Sequence, residues 1–359
     1  MAVWGPQQET RRSSWSAARR VLVTGGAGFI GANLVRLLLE HGDQVAVFDN
    51  LVSGRREYLD GLPIEFLQGD ILDRTTVQRA VAYKDCVVHL AAQTGVPGSL
   101  REPRKDCEIN VLGTLNLLEA CRAEKARSEA LAVGVHARGP RIVFASSNAP
   151  LGRQPPPAKE DKAPLPISPY GASKLAGEGY CLAYNGSWGL ETVVLRFGNV
   201  YGPFSRHKNS VVAKFFKDIS AGGEIVVEGD GQQTRDFIYV GDLCEAILLT
   251  LASDVSGEIF QTATGTETTI AQLAELLKLT THSDAAVTHG PSRQADIRQN
   301  YSAIEKIRGT LGWEPKVDLR RGLRMTMKWF QKGSGTRSSR RAGNSTSRKE
   351  SCQPTELRR

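Results

Sequence analysis

The chain has 359 residues, of which 40% are hydrophobic and 23% charged; these ordinary globular proportions allow a large core and exclude wholesale disorder. The net charge of +8 belongs to the ends. Residues 1–20 carry four Arg and one Glu, and residues 332–359 carry eight Lys or Arg against two Glu, which is +3 and +6 and leaves −1 for residues 21–331. A nucleic-acid role for the folded part therefore loses its main support.

Six cysteines, at 86, 107, 121, 181, 244 and 352, form no C-x-x-C pair. This points to a reducing cytoplasm and away from a metal site or a disulfide frame. The charge-free stretch Val21–Val35 holds four glycines and is too short to span a membrane. It ends in Arg36 where a secretory leader would need small residues. The expectation is a soluble, cytoplasmic protein with neither nucleic acid nor membrane as a partner.

Residues 1–19 and 333–359 are rich in Ser, Arg and Gly with little to bury, and are predicted to be disordered tails. Between them, Arg20–Thr24 reads as a buried strand, Ile30–Leu39 as a helix, and Gln44–Phe48 as a second strand ending in Asp49. Ile64–Leu67, Cys86–Leu90 and Arg141–Ala145 read as further short strands, with Thr192–Phe197 after them. Asn110–Cys121 and Pro169–Tyr184 have helical patterns, and Ala123–Pro140 reads as a polar, solvent-exposed insertion. Strands alternating with helices predict an α/β fold built on a doubly wound parallel sheet. No internal repeat appears.

Thr24-Gly25-Gly26-Ala27-Gly28-Phe29-Ile30-Gly31 follows the first strand and opens the first helix. Glycines there let the backbone approach a pyrophosphate, whose charge then sits at a helix N-terminus. Asp49 ends the second strand, followed by Asn50. A carboxylate in that place accepts both ribose hydroxyls and repels a 2′-phosphate, which favours NAD over NADP. Asp70 and Ile71, after the third strand, are candidates to flank the adenine, and Leu90, Ala91 and Ala92, after the fourth, offer small residues where backbone passes close to the cofactor.

Tyr170 and Lys174 stand one helical turn apart on one face. A nearby ammonium lowers a phenol pKa and lets the phenolate act as a general base. Ser146 and Ser147 end the strand before that helix, on the edge of the sheet that faces the cofactor. Ser147, Tyr170 and Lys174 beside an NAD site make a device for hydride transfer, with the base on a hydroxyl and the nicotinamide on its carbon.

Together the glycine motif, the strand-two Asp, Ser147 and Y-x-x-x-K resemble the extended short-chain dehydrogenases, specifically the nucleotide-sugar epimerases and dehydratases. The resemblance continues through Leu195-Arg196-Phe197-Gly198-Asn199-Val200-Tyr201-Gly202-Pro203, Thr234-Arg235-Asp236-Phe237 and Leu311-Gly312-Trp313-Glu314-Pro315, and covers roughly residues 20–330. It implies a Rossmann NAD domain, mainly 20–203, and a smaller C-terminal domain, mainly 204–332 and partly interleaved, that grips a UDP-sugar. By the same resemblance Asn199, Arg235, Arg293 and Asp296 contact the nucleotide diphosphate, and Arg206 holds a carboxylate in glucuronate-specific relatives. A homodimer through a helix pair that includes Pro169–Tyr184 is implied as well.

Three departures bear on the substrate. Asn148-Ala149-Pro150-Leu151-Gly152 stands where the family reads towards V-Y-G, which removes an aromatic from the sugar pocket. No carboxylate follows Ser147, which counts against dehydration, and Glu228 replaces an aromatic before Gly229-Asp230-Gly231. The implied activity is 4-epimerisation, with UDP-glucose and UDP-galactose as the default pair. UDP-glucuronate 4-epimerisation or decarboxylation stands as the alternative, and a non-catalytic NAD-binding regulator as the rival of another class.

Overall fold

The computed structural model describes residues 18–131, 139–292 and 297–338. The first half runs β1 Arg20–Thr24, α1 Phe29–Glu40, β2 Gln44–Asp49, β3 Glu65–Gln68, α2 Arg74–Val81, β4 Cys86–His89, α3 Val96–Arg101 and α4 Pro103–Cys107. A π-helical turn, Glu108–Leu112, leads into α5 Gly113–Ala130. There follow β5 Arg141–Ser147, α6 Pro169–Trp188, β6 Thr192–Phe197, β7 Asn199–Tyr201, α7 Val211–Ser220 and β8 Ile225–Glu228. The last part holds β9 Thr234–Arg235, β10 Phe237–Tyr239, α8 Val240–Ala252, β11 Glu258–Thr262, β12 Thr268–Thr269, α9 Ile270–Thr281, β13 Val287–Gly290, α10 Glu305–Leu311 and α11 Leu319–Ser338.

Seven strands pair in the order β11-β6-β5-β4-β1-β2-β3, all parallel. The order reverses between β1 and β4, and such a reversal opens a crevice at the carboxyl ends of the strands. Alternate residues feed opposite faces. Val21, Val23 and Val47 join α1 and α8 in one core, whereas Leu22, Phe48, Val87 and Phe144 join α2, α5 and α6 in the other. Three two-stranded pairs, β7/β10, β8/β13 and β9/β12, lie outside the main sheet, and Phe215, Phe216 and Leu273 from α7 and α9 pack among them.

Local chemistry sets the helix ends. Ser168 caps α6 through Gly171 N–H, Pro169 occupies its first turn, and Gly189 closes it in the left-handed conformation. Thr269 and Gln272 form a reciprocal capping box on α9.

Three sequence expectations need correction. Residues 123–130, read as part of an exposed insertion, continue α5, and Glu124 is buried where it accepts Tyr83 N–H at 2.8 Å. Ion pairs Arg122–Glu119, Arg127–Glu124 and Lys125–Glu129 support that polar extension at helical spacing. Arg19, assigned to the N-terminal tail, is buried against Asp43 in a two-pronged pair at 2.9 and 2.6 Å. At the other end α11 runs to Ser338, six residues into the expected C-terminal tail. The rest of both tails, and 132–138 of the insertion, lie outside the described residues.

Candidate active site

The crevice is lined first by the turn after β1. Gly25 has φ +69°, and a Cβ there would stand 2.8 Å from the Ala91 nitrogen and 2.9 Å from the Leu90 carbonyl carbon. A Cβ on Gly31 would meet Gly25 O at 2.5 Å. Backbone therefore fills the space that side chains would need, and the amino end of α1, with Gly28 as its cap and Phe29 and Ile30 in its first turn, opens onto the crevice. Those free N–H groups suit an anion.

Asp49 ends β2 and is 7% exposed. One carboxylate oxygen accepts Ala27 N–H at 3.0 Å and the other Leu51 N–H at 2.8 Å, so the carboxylate is fixed to the glycine turn itself. Burial raises its pKa, opposed by these two bonds. Each oxygen keeps a second lone pair for a ribose hydroxyl. Asn50 donates to Asp70 at 3.0 Å, which joins the ends of β2 and β3, and Ile71 is buried against Gly113. Ala91 N–H donates to Thr24 Oγ1 at 3.3 Å, and Leu90 and Ala92 flank it half-buried. Of the cofactor residues named from the sequence, Gly25, Gly28 to Gly31, Asp49, Asn50, Asp70, Ile71 and Leu90 to Ala92 lie at or just after the ends of strands or open α1, while Tyr170 and Lys174 lie on α6. This cradle fits an NAD dinucleotide: glycine backbone for the pyrophosphate and a carboxylate for the ribose.

Ser147 ends β5, and its side chain lies near enough to the Tyr170 hydroxyl to oppose the rise of the phenol pKa. Ser147 Oγ also accepts Ala149 N–H at 3.2 Å, which leaves its proton for another acceptor. Lys174 is 4% exposed, donates to Ala145 O at 2.8 Å, and stands 4.9 Å from the centre of the Phe144 ring. Burial pushes the Tyr170 phenol up to about 12, against the effect of Ser147, and the charge of Asp106 raises it further. Burial brings the Lys174 ammonium down to about 8. The expected lowering of the Tyr170 pKa by the nearby Lys174 ammonium is outweighed by burial, and that ammonium is engaged with the Ala145 carbonyl.

Two groups at this site were not singled out in the sequence. Asn110, 1% exposed in the π-turn, accepts Gln93 N–H at 2.8 Å and donates to Gln93 O at 3.0 Å. Its amide nitrogen also lies 3.1 Å from both Asp106 Oδ1 and Ser173 Oγ, so it ties the loop after β4 to the helix of Tyr170 and Lys174. Glu178, one turn beyond Lys174, takes two bonds from Arg196 at 2.9 and 2.7 Å and one from Ser146 at 2.5 Å. A buried asparagine in an apolar helix pattern was the signal for the first; the second needed the pairing of β5 with β6 to be known.

The substrate side is less assembled. Asn199 opens β7, with its N–H on Asp236 O, and Arg235 on β9 donates to the carbonyls of Thr234 and Ile297. Arg206 does not reach toward the crevice. Its guanidinium donates to Phe330 O and lies 5.3 and 5.2 Å from the centres of the Trp329 and Phe330 rings on α11. Cation–π contact and a carbonyl acceptor hold it there. Lys208, two residues on, donates to Thr94 Oγ1 at 3.1 Å on the loop after β4, and burial lowers its pKa. Arg293 and Asp296 lie outside the described residues. Among the described residues no His, Cys, Asp and Glu side chains gather as a metal would require, and no helix is long and apolar enough to cross a membrane.

Comparison with known proteins agrees with this geometry. The profile of the NAD dependent epimerase/dehydratase family matches residues 21–263. A putative UDP-glucose 4-epimerase of Methanocaldococcus jannaschii is 35% identical, over 88% of this chain and 100% of its own length. The crystal structure of UDP-glucose 4-epimerase with UDP-glucose from Thermotoga maritima superimposes with a TM-score of 0.80 at 37% identity, covering 88% of this chain and 99% of that one. A UDP-N-acetylglucosamine 4-epimerase from Methanobrevibacter ruminantium, in complex with UDP-N-acetylmuramic acid, gives 0.80 at 33% identity, covering 88% and 99%. Relatives named as dehydratases, decarboxylases and a UDP-glucuronate 4-epimerase match at 30–35% identity. The chain belongs to the NAD-dependent epimerase/dehydratase family, and NAD is its cofactor.

Proposed function

We propose that this protein interconverts the C4 epimers of a UDP-sugar, with UDP-glucose and UDP-galactose as its first pair. One observation carries the reading: Ser147 ends β5 beside the cofactor cradle, Tyr170 and Lys174 stand one turn apart on α6 with the phenol near Ser147, and the residues after Ser147 are Asn148 and Ala149. A base for the 4-hydroxyl is present, whereas the neighbouring carboxylate that elimination would use is missing.

Held by the Gly25–Gly31 turn and Asp49, NAD⁺ would supply the hydride acceptor, and later donor, for C4 of the sugar. Tyr170 is proposed to take the proton of the 4-hydroxyl and give it back in the second half, which requires cationic charge beside the phenol to offset the burial that raises its pKa. Ser147 accepts and donates along that path, holding the sugar oxygen against the phenol. Lys174 presents an ammonium beside Tyr170 for the nicotinamide ribose. Arg235, with Arg293, Asp296 and Asn199, is proposed to hold the nucleotide diphosphate, since guanidinium forks match phosphate oxygens.

Asn148 donates to Ser302 at 2.8 Å and to Asn300 at 3.2 Å, which fastens the Ser147 loop to the segment before α10. A second reading, action on UDP-glucuronate, is favoured by Lys208 at Thr94, because no carboxylate among the described residues pairs with that ammonium. Assembly as a cytoplasmic homodimer is proposed on the exposed Leu112, Tyr180 and Trp188 at or near α5 and α6.

The test is to incubate the purified protein, without added cofactor, with UDP-galactose, UDP-glucose, UDP-N-acetylglucosamine and UDP-glucuronate, and to identify the products. Conversion of UDP-galactose to UDP-glucose is expected. Tyr170→Phe should lose at least about 10²-fold of that rate while NAD stays bound. Conversion of UDP-glucuronate alone would replace the first reading with the second, and no conversion of any sugar would favour a non-catalytic NAD-binding protein.

A further inference from the structure

His89, the last residue of β4, is 2% exposed and lies between two threonines. Thr24 Oγ1 is 2.7 Å from its Nδ1, and Thr114 Oγ1 is 3.1 Å from its Nε2. A hydroxyl has one proton to give. Thr114 gives its proton to Asn110 O at 2.6 Å, so Nε2 must be the donor toward Thr114. A neutral ring then accepts at Nδ1, which takes the Thr24 proton, and the Thr24 oxygen is left to accept Ala91 N–H. The direction of every bond in the series is fixed by this count. An imidazolium would set an N–H against the Thr24 proton, in a site where the Lys174 ammonium is the charge that faces the ring; burial and that charge bring its pKa to about 3.

The series joins two grips on one loop. At one end Thr24 holds Ala91, whose nitrogen is packed against Gly25 of the cofactor turn. At the other, Asn110 clamps Gln93 at both backbone groups and reaches Ser173, the neighbour of Lys174. We propose that His89, in the Nε2–H tautomer, is a positioning residue that sets the cofactor turn against the helix of Tyr170 and Lys174, acting through Thr24 and Thr114. It touches neither cofactor nor sugar in this role. The kinetic part of the proposal rests on the 4-epimerase reading; the tautomer does not.

The full-length protein labelled with nitrogen-15 histidine tests the tautomer directly. One neutral Nε2–H pattern should persist between about pH 5 and 8, where an ordinary imidazole changes charge, and should vanish in His89→Phe. A His89 signal that titrates in that range, or that shows the Nδ1–H pattern, overturns the proposal. For function, His89→Phe keeps a ring and loses both bonds, whereas Asn restores an acceptor near Nδ1 and Gln a donor near Nε2. The Phe variant should lose about 10- to 100-fold in kcat on UDP-galactose with KM within about threefold, the signature of a misplaced reacting pair rather than weaker binding. His89→Asn and His89→Gln should each recover part of it, and they carry the test if the Phe variant does not fold. Unchanged kcat in folded variants, or KM rising as much as kcat falls, overturns the proposal. A wild-type protein that shows the expected tautomer but does not convert UDP-galactose overturns the sugar assignment instead.

Discussion

Replacing Glu178 with Gln should unfold this protein at a much lower temperature, although the change is nearly isosteric. Glu178 and Arg196 are each 1% exposed, and their two hydrogen bonds measure 2.9 and 2.7 Å. The pair joins α6 to β6, and Ser146 adds a third bond to the same carboxylate at 2.5 Å. Arg196 already has one buried nitrogen without a partner, so the guanidinium depends on Glu178 for its charge compensation. Gln leaves a cation in a dry interior, a loss of about 3–5 kcal/mol. That is a large share of the roughly 5–15 kcal/mol that holds a typical domain folded. At about 2–4 °C per kcal/mol, Tm should fall by on the order of 10 °C. Thermal unfolding followed by circular dichroism measures it, at low and at high salt, because a buried pair is hardly screened. The double replacement Glu178→Met with Arg196→Met should recover most of the loss, since removing both charges removes the desolvation cost along with the attraction. A single variant within about 1 kcal/mol of wild type, the value of an exposed pair, would refute the reasoning. So would a double variant no more stable than the single one.

Asp49→Asn should weaken NAD binding by at least about tenfold, because one amide cannot accept both Ala27 N–H and Leu51 N–H and presents its own N–H to one of them; titration calorimetry checks it, and a wild type that prefers NADP to NAD would overturn the role given to Asp49. Lys174 sets a pH dependence. With its pKa lowered by burial to about 8 from 10.5, the folded protein binds fewer protons than the unfolded chain between those values, so this group's contribution to stability rises with pH across that window. NAD affinity of the cofactor-free protein should move the other way and fall as pH rises through about 8, where the ammonium is lost. Binding that stays constant up to 10.5 would mean that Lys174 does not hold the cofactor as a cation.

The parts of the site that could be read in the sequence are those where a short motif fixes its own geometry. Gly25 to Gly31 and Asp49 sit at the carboxyl ends of adjacent parallel strands, so that recognising the strands was enough to place them in one crevice. Tyr170 and Lys174 share a helix face, and the strand before that helix delivers Ser147. The role of Asn110 was hidden because its four contacts go to three residues in three segments, one of them 63 residues away. Arg206 was misplaced for the same reason: what captures it is the backbone of α11, 124 residues further on, and nothing local to Ser205–Lys208 announces that contact. The polar stretch after Cys121 failed differently. Its charged residues satisfy one another along the helix, and hydrophobic periodicity does not detect a helix supported in this way.

The central claim is that C4 of the sugar is oxidised and reduced by the resident cofactor while Tyr170 moves only the hydroxyl proton. UDP-galactose carrying deuterium at C4 tests it most directly, with the protein purified without added cofactor and the product examined by mass spectrometry and proton NMR. The account predicts UDP-glucose that keeps the deuterium at C4, with no hydrogen acquired there from solvent. Product that has exchanged its C4 deuterium for solvent hydrogen would contradict the account, because it would mean that a base removes the carbon-bound hydrogen as a proton.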